Sequence, residues 1–314
     1  MSFIVKVLIM GSGGVGGYFG GLLARNGHDV TFIARGQHLK AINKNGLLVE
    51  SSNNGRFNIE CKAISDTNGI ESPDLIIFSV KMFQNIEAIK LIMPCVSPDT
   101  IILSLQNGID NGEILSEYFD PKNVMIGSAF LEGRVSSPGT ITQGGPGIAA
   151  FGEQFEGLTE RGEYLKKVFE AANWDVELHE NMRGVLWKKF AYLVAGAAVC
   201  AASHCDYGSM RSNPETRSLI LKAISEVLEV GKAMGEPIME DSLDWAENSL
   251  DRFPGLGKAS MAKDFLEGKP VELEGLTGKI IRLGREYNVE TPINDILYAI
   301  LKPWAIHNTS GNGR

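Results

Sequence analysis

The sequence predicts an α/β half, wound around a parallel sheet with helices on both faces, followed by an all-helical half. Three observations carry that prediction. Short β-branched runs alternate with helical stretches through the first half of the chain, the order that builds a parallel sheet and covers both of its sides. The first of these runs breaks directly into a cluster of glycines, as a strand does when it turns tightly into a helix. From about Glu177 onward the pattern changes to long helical periodicities with no further strands. At roughly 150 residues per domain, 314 residues make about two domains, and we place them at 1–178 and 179–314.

Strands are expected at Val5–Met10, Val30–Ala34, Leu75–Val80, Ile101–Leu105 and Val124–Ile126. Leu75-Ile76-Ile77-Phe78 and Ile101-Ile102-Leu103 are apolar at consecutive positions, which suits strands buried on both sides. Thr140–Gly152 reads as a turn followed by an edge strand. In the second half, helices are expected over Val185–Ala202, Pro214–Met234, Asp241–Leu250, Lys258–Leu266, Val271–Tyr287 and Asn294–Leu301. Asn213 before Pro214 has the form of an N-cap, and Gly235 that of a stop. Phe190–Ala202 is strongly apolar and rich in alanine; it is too short to span a bilayer and reads as a buried helix. The polar tail His307–Arg314 is expected to fray.

Composition narrows the function. Hydrophobic residues make up 44% and charged residues 22%, which excludes a disordered or fibrous chain. A net charge of −8 repels phosphate backbones and anionic membranes, so neither nucleic acid nor a membrane is an expected partner. Cys61, Cys95, Cys200 and Cys205 form no CxxC pair and have no histidines at zinc-ligand spacing. No metal is therefore expected, and four thiols without a disulfide framework suit the cytoplasm. Glycine is the one excess, at 36 residues.

Those glycines include Gly11-Ser12-Gly13-Gly14-Val15-Gly16, directly after the first strand and opening the first helix. In this context GxGxxG is the fingerprint of a Rossmann-type dinucleotide site: the first glycine makes the turn, the second admits the pyrophosphate, and the third lets helix and strand pack closely. All six residues are candidate cofactor contacts. The end of the second strand selects the dinucleotide, because a carboxylate there would accept from a ribose 2′-hydroxyl and repel a 2′-phosphate. This chain has Ala34-Arg35-Gly36 instead, with Gln37, His38 and Lys40 close by. Arg35 can pair with the phosphate through its planar fork, which favours NADP(H).

Further motifs follow in order: Ser79-Val80-Lys81-Met82-Phe83-Gln84, Leu105-Gln106-Asn107-Gly108, Arg183-Gly184-Val185-Leu186-Trp187-Lys188-Lys189-Phe190, Ser260-Met261-Ala262-Lys263-Asp264, and Glu272 to Gly278. With these the chain resembles the ketopantoate reductase (2-dehydropantoate 2-reductase) family from Lys6 to about Pro303. The resemblance implies an active site between the two domains. In it Lys189 is the proton donor, Glu272 a cofactor-contacting catalytic partner near it, Asn107 a contact to cofactor and substrate, Ser260 a substrate contact, and Lys81 a cofactor-side lysine where the cleft opens. A cleft lysine fits the chemistry, since reducing a 2-oxo acid needs a proton on the carbonyl oxygen as well as a hydride on its carbon. Lys188, its neighbour, is expected to take the solvent side.

The chain also departs from the family. Asparagines usual four and eight residues after the lysine are here Leu193 and Ala197, and a third aligns loosely with Tyr207. At i, i+4, i+8 spacing the first two share a helix face with Lys189, so both are candidate substrate contacts. The implied reaction is NADPH-dependent reduction of a small-molecule 2-oxo acid, ketopantoate, to pantoate, as in pantothenate biosynthesis. Two alternatives stay open: a related 2-hydroxyacid dehydrogenase for another branched or aromatic 2-oxo acid, and a non-catalytic NADP(H)-binding sensor. The apolar helical half suits a homodimer interface or its own core alike.

Overall fold

The computed structural model describes residues 4–155 and 157–309. The chain separates into two compact units, cut between Met182 and Arg183. The first holds ten strands: β1 (Lys6–Met10), β2 (Asp29–Ile33), β3 (Leu47–Ser51), β4 (Gly55–Ile59), β5 (Lys62–Ile64), β6 (Leu75–Phe78), β7 (Ile101–Ser104), β8 (Val124–Ser137), β9 (Thr140–Glu153) and β10 (Asp175–Leu178). Five helices accompany them: α1 (Gly14–Arg25), α2 (Gly36–Asn45), α3 (Asn85–Ile92), α4 (Asn111–Ser116) and α5 (Glu160–Ala171).

Along the order β5-β2-β1-β6-β7-β8 every neighbour pair is parallel, the doubly wound arrangement of a Rossmann-type sheet. Successive residues face opposite cores. Ile9, Ile77 and Leu103 join Phe19, Phe151 and Trp174 on one side, whereas Leu8, Ile76 and Ile102 join Ile89 and Leu115 on the other. The continuous apolar runs of β6 and β7 are thus explained by burial on both faces.

Beyond β8 the sheet departs from expectation. The strand expected to end at Ile126 runs on to Ser137 and pairs antiparallel with β9. Its last five residues, Gly133-Arg134-Val135-Ser136-Ser137, are exposed, so no apolar run marks them, and the hairpin hydrogen bonds hold them instead. Nor is β9 an edge strand. Thr140–Gln143 pair with β3 and Ile148–Phe151 with β10, while β8 covers its other side. The short strands β3, β4, β5 and β10 lie outside the expected set, and β10 runs past Glu177, where only helices were expected; for β3 and β4, Asn54-Gly55, with Gly55 at φ 70°, is an adequate hairpin signal.

The second unit is all helical: α6 (Met182–Ser203), α7 (Tyr207–Ser212), α8 (Pro214–Ala233), α9 (Ser242–Arg252), α10 (Ser260–Leu266), α11 (Thr277–Glu286) and α12 (Pro292–Thr309). α8 packs against α7, α9, α11 and α12, and Gly231 on it leaves room for the Trp187 indole of α6, which a Cβ would approach to 2.9 Å. Asn213 caps α8 by accepting from the Thr216 amide, and Gly235 follows the last turn at φ 79°. α6 is, among the described residues, the one helix long and apolar enough to cross a membrane, and 72% of its most apolar window is buried by protein. The helix expected over Val271–Tyr287 begins only at Thr277, because residues 273–276 are taken up by a turn. Of the tail expected to fray, His307–Thr309 continue α12, and residues 310–314 lie outside the described residues.

Candidate active site

In the first unit the candidate residues gather at the carboxyl ends of β1, β2, β6 and β7, where open α/β sheets bind ligands. Gly11 turns the chain at φ 104°, and a Cβ there would press 2.9 Å from the Ser79 carbonyl carbon. On Gly16 a Cβ would stand 2.3 Å from the Gly11 carbonyl oxygen and 2.7 Å from Ile9, the close helix–strand contact that admits only glycine. Gly13 differs: a Cβ there would have no atom within 4 Å. It is also the N-cap of α1, with no side-chain cap and no acidic residue in the first turn. Open space over free helix amides fits a pyrophosphate.

The remaining members of the fingerprint also have packing roles within the protein. Ser12 donates its hydroxyl to the Ile33 carbonyl at 2.8 Å, tying the loop to β2. The Val15 side chain packs towards the core. Gly14 is required by β8, whose Gly133 carbonyl carbon a Cβ would approach to 2.1 Å. His38 adds a clamp. Its Nδ1 accepts from the Gly139 amide at 3.0 Å, which leaves Nε2 to carry the proton and donate to the Ser12 carbonyl, also at 3.0 Å. Burial lowers the His38 pKa, in keeping with that neutral tautomer.

Arg35, at the end of β2, is exposed and pairs with Glu87 of α3 at 2.9 Å. Lys81 follows β6 and Asn107 follows β7; both are half-buried. An amide network missed from sequence joins their loops. Gln106 donates through Nε2 to the Val80 carbonyl (2.8 Å) and to Asn85 Oδ1 (2.7 Å). Asn85 donates to Asn111 Oδ1 (3.1 Å), and Asn111 to the Asn107 carbonyl (2.7 Å). Gln106, Asn85 and Asn111 are all buried, so their amide groups depend on bonding one another and the backbone carbonyls of Val80 and Asn107. A glutamine two residues past the end of β7 was the signal available.

In the second unit Lys188 does not take the solvent side expected of it. It is 8% exposed and ion-paired, with Nζ 2.7 Å from Asp241 Oδ1 and 5.9 Å from the Trp245 ring centroid. Lys189 sits in an environment whose burial draws its pKa down to about 7, while the Glu272 carboxylate pulls it back up. Glu272 itself is 7% exposed, directly before the turn that leads into α11 rather than on a helix face. The helix head is held by Arg183, which donates Nε to Glu236 Oε2 at 2.9 Å.

One and two turns along from Lys189, Leu193 is half-buried and Ala197 has no exposed surface. An asparagine at 197 would therefore be enclosed by protein, whereas one at 193 would be half-buried. Gly196, almost in line with Lys189 along the helix, carries Tyr207 instead: a Cβ there would lie 2.8 Å from the phenol oxygen. Tyr207 in turn stacks on Tyr192, with ring centroids 6.1 Å apart. Ser260 is exposed at the first residue of α10, and Ala259 is the capping position. Among the described residues no group of three or more His, Cys, Asp or Glu could hold a metal ion.

The sequence pattern described as Ketopantoate reductase PanE/ApbA matches residues 7–154, and its C-terminal counterpart matches 181–305. A 2-dehydropantoate 2-reductase of Pyrococcus horikoshii is 33% identical over 303 residues, spanning 95% of this chain and 97% of that protein. The crystal structure of 2-dehydropantoate 2-reductase from Geobacter metallireducens superposes with a TM-score of 0.89 at 29% identity, over 95% of this chain and 99% of the other. A D-mandelate dehydrogenase, solved with NADH and anilino(oxo)acetate, shares the fold at a TM-score of 0.90 and 20% identity, over 97% and 99% of the two chains.

Proposed function

The chain belongs to the ketopantoate reductase family of oxidoreductases, and from that premise we propose that it reduces 2-dehydropantoate to pantoate with NADPH. The carrying observation is Lys189, a lysine with its pKa drawn down to about 7 beside a buried carboxylate. A lysine on a solvated helix face keeps its ordinary value. One poised near 7 is half protonated at working pH, where general acid catalysis is most effective.

In this reading the N-terminus of α1 and the open space over Gly13 hold the pyrophosphate, Arg35 reads the 2′-phosphate, and Lys81 and Asn107 line the nicotinamide side. The bound cofactor supplies a hydride to the carbonyl carbon. Lys189 does the rest: its ammonium polarises the 2-oxo group, stabilises charge as it develops on oxygen, and donates the proton that makes the hydroxyl. Glu272 keeps that ammonium charged and oriented, and Ser260 offers a hydroxyl to the substrate. All four cysteines are free thiols, in keeping with a reducing cytoplasm.

A second reading has its own observation. Leu193, half-buried one turn beyond Lys189, puts an apolar side chain on that helix face, which suits a 2-oxo acid with a branched or aromatic side group better than one with a hydroxyl. Turnover by the purified protein separates the readings: NADPH consumption is measured with ketopantoate, 2-oxoisovalerate and phenylglyoxylate. A kcat/KM highest for ketopantoate supports the first, one highest for either other acid supports the second, and no turnover with any of them returns the chain to a nucleotide-binding sensor.

A further inference from the structure

Arg35 and Glu87 come from different elements of the first unit, the end of β2 and the first turn of α3, and meet at 2.9 Å with 54% and 63% of their side chains exposed. A surface pair this open contributes little to stability, so folding alone does not account for a carboxylate at this place. We propose that Glu87 is a specificity-determining residue for the cofactor, holding the preference for NADPH over NADH below what Arg35 alone would give. The inference rests on reading Arg35 as the partner of a 2′-phosphate.

The physical basis is proximity. Any anion bound to the Arg35 guanidinium lies within a few ångströms of the Glu87 carboxylate, which repels it and already occupies Nη2, one of the guanidinium's donor groups. At such separations in screened solvent, a like charge costs about three- to tenfold in binding. A ribose 2′-hydroxyl meets the opposite situation, since it carries a proton and the carboxylate can accept it, as acidic residues do in NAD-binding folds. One pair thereby sets two opposing preferences.

The test measures binding, free of turnover: calorimetric Kd values of 2′,5′-ADP and 5′-AMP for the whole protein, Glu87→Gln and Arg35→Ala. Glu87→Gln should tighten 2′,5′-ADP about three- to tenfold and leave 5′-AMP unchanged or weaker, with the gain shrinking as salt is raised. Arg35→Ala should weaken 2′,5′-ADP by tenfold or more. If Arg35→Ala has that effect but Glu87→Gln leaves the ratio of the two Kd values unmoved, the role of Glu87 is overturned and the reading of Arg35 stands. If neither substitution moves the ratio, the reading of Arg35 falls as well.

Discussion

At the glycine turn of residues 11–16 the chain leaves side chains out, whereas at the head of α6 it brings one charged side chain into a place that penalises charge. The first arrangement exposes helix amides over Gly13, and its attraction for an anion comes from backbone dipoles that need no pKa adjustment. The second depends on burial: the surroundings of Lys189 oppose its own proton, with Glu272 restoring part of it, which is what the proposed acid role requires. A backbone site should therefore be damaged by added bulk and be indifferent to pH near neutrality, and a lysine site should show the reverse.

The largest expected effect is at Lys189. Lys189→Ala should lower kcat by about 10²-fold or more, the scale of losing a positioned general acid, while the Kd for NADPH changes little. A variant with the parent's kcat would make Lys189 an ordinary helix lysine.

Within the glycine turn, Gly13 and Gly16 should separate cleanly. Gly13→Val projects into open space, so thermal unfolding should match the parent while NADPH binding weakens by roughly tenfold or more, as bulk displaces the phosphate from the helix amides. Gly16→Ala forces a contact at 2.3 Å with the Gly11 carbonyl and should destabilise the fold by about 1 to 3 kcal/mol. Equal Tm losses in both variants would erase the distinction.

The pH profile sharpens the comparison from the other side. The donor must be protonated for reduction, so kcat/KM should fall as pH rises through about 7. Glu272→Gln removes the influence that raises the lysine pKa, and the falling limb should move to lower pH. Stability carries the same signature. Between about 7 and the ordinary lysine value of 10.5 the unfolded chain binds more protons than the folded one, so the parent gains stability as pH rises through that window. In Lys189→Met that gain should disappear; a parent and variant with the same slope would count against the burial of the charge.

The smallest effect is expected on substrate choice. Leu193→Asn restores a hydrogen-bonding partner for a substrate hydroxyl, worth about 1 to 3 kcal/mol, and should raise the ratio of kcat/KM for ketopantoate over 2-oxoisovalerate by at least about fivefold. No change in that ratio would place hydroxyl recognition on other residues.

Much of this was legible in the sequence for a local reason. Apolar runs two-sided enough for β6 and β7, the GxGxxG after β1, and the cap at Asn213 each express a requirement satisfied within a few residues of chain. The exposed end of β8 and the three-sided pairing of β9 were not legible, because their stability comes from partners far along the chain and their side chains carry no period. The amide network of Gln106, Asn85 and Asn111 is of the same kind, three ordinary polar residues that become informative only when burial forces them together.

Lysines 188 and 189 draw the line most sharply. The sequence by itself determined that two lysines would lie side by side near the start of an apolar helix, and that a strand, a glycine turn and a helix would precede an arginine suited to a phosphate. It also determined the family, through motifs whose order and spacing are properties of the chain alone. Which lysine would pair with Asp241 and which would lose its proton near neutrality was decided only by tertiary structure, as was the meeting of Arg35 with Glu87. The reason is that a pKa or an ion pair depends on the solvent removed and the charges brought near in three dimensions, and neither quantity is a function of separation along the chain.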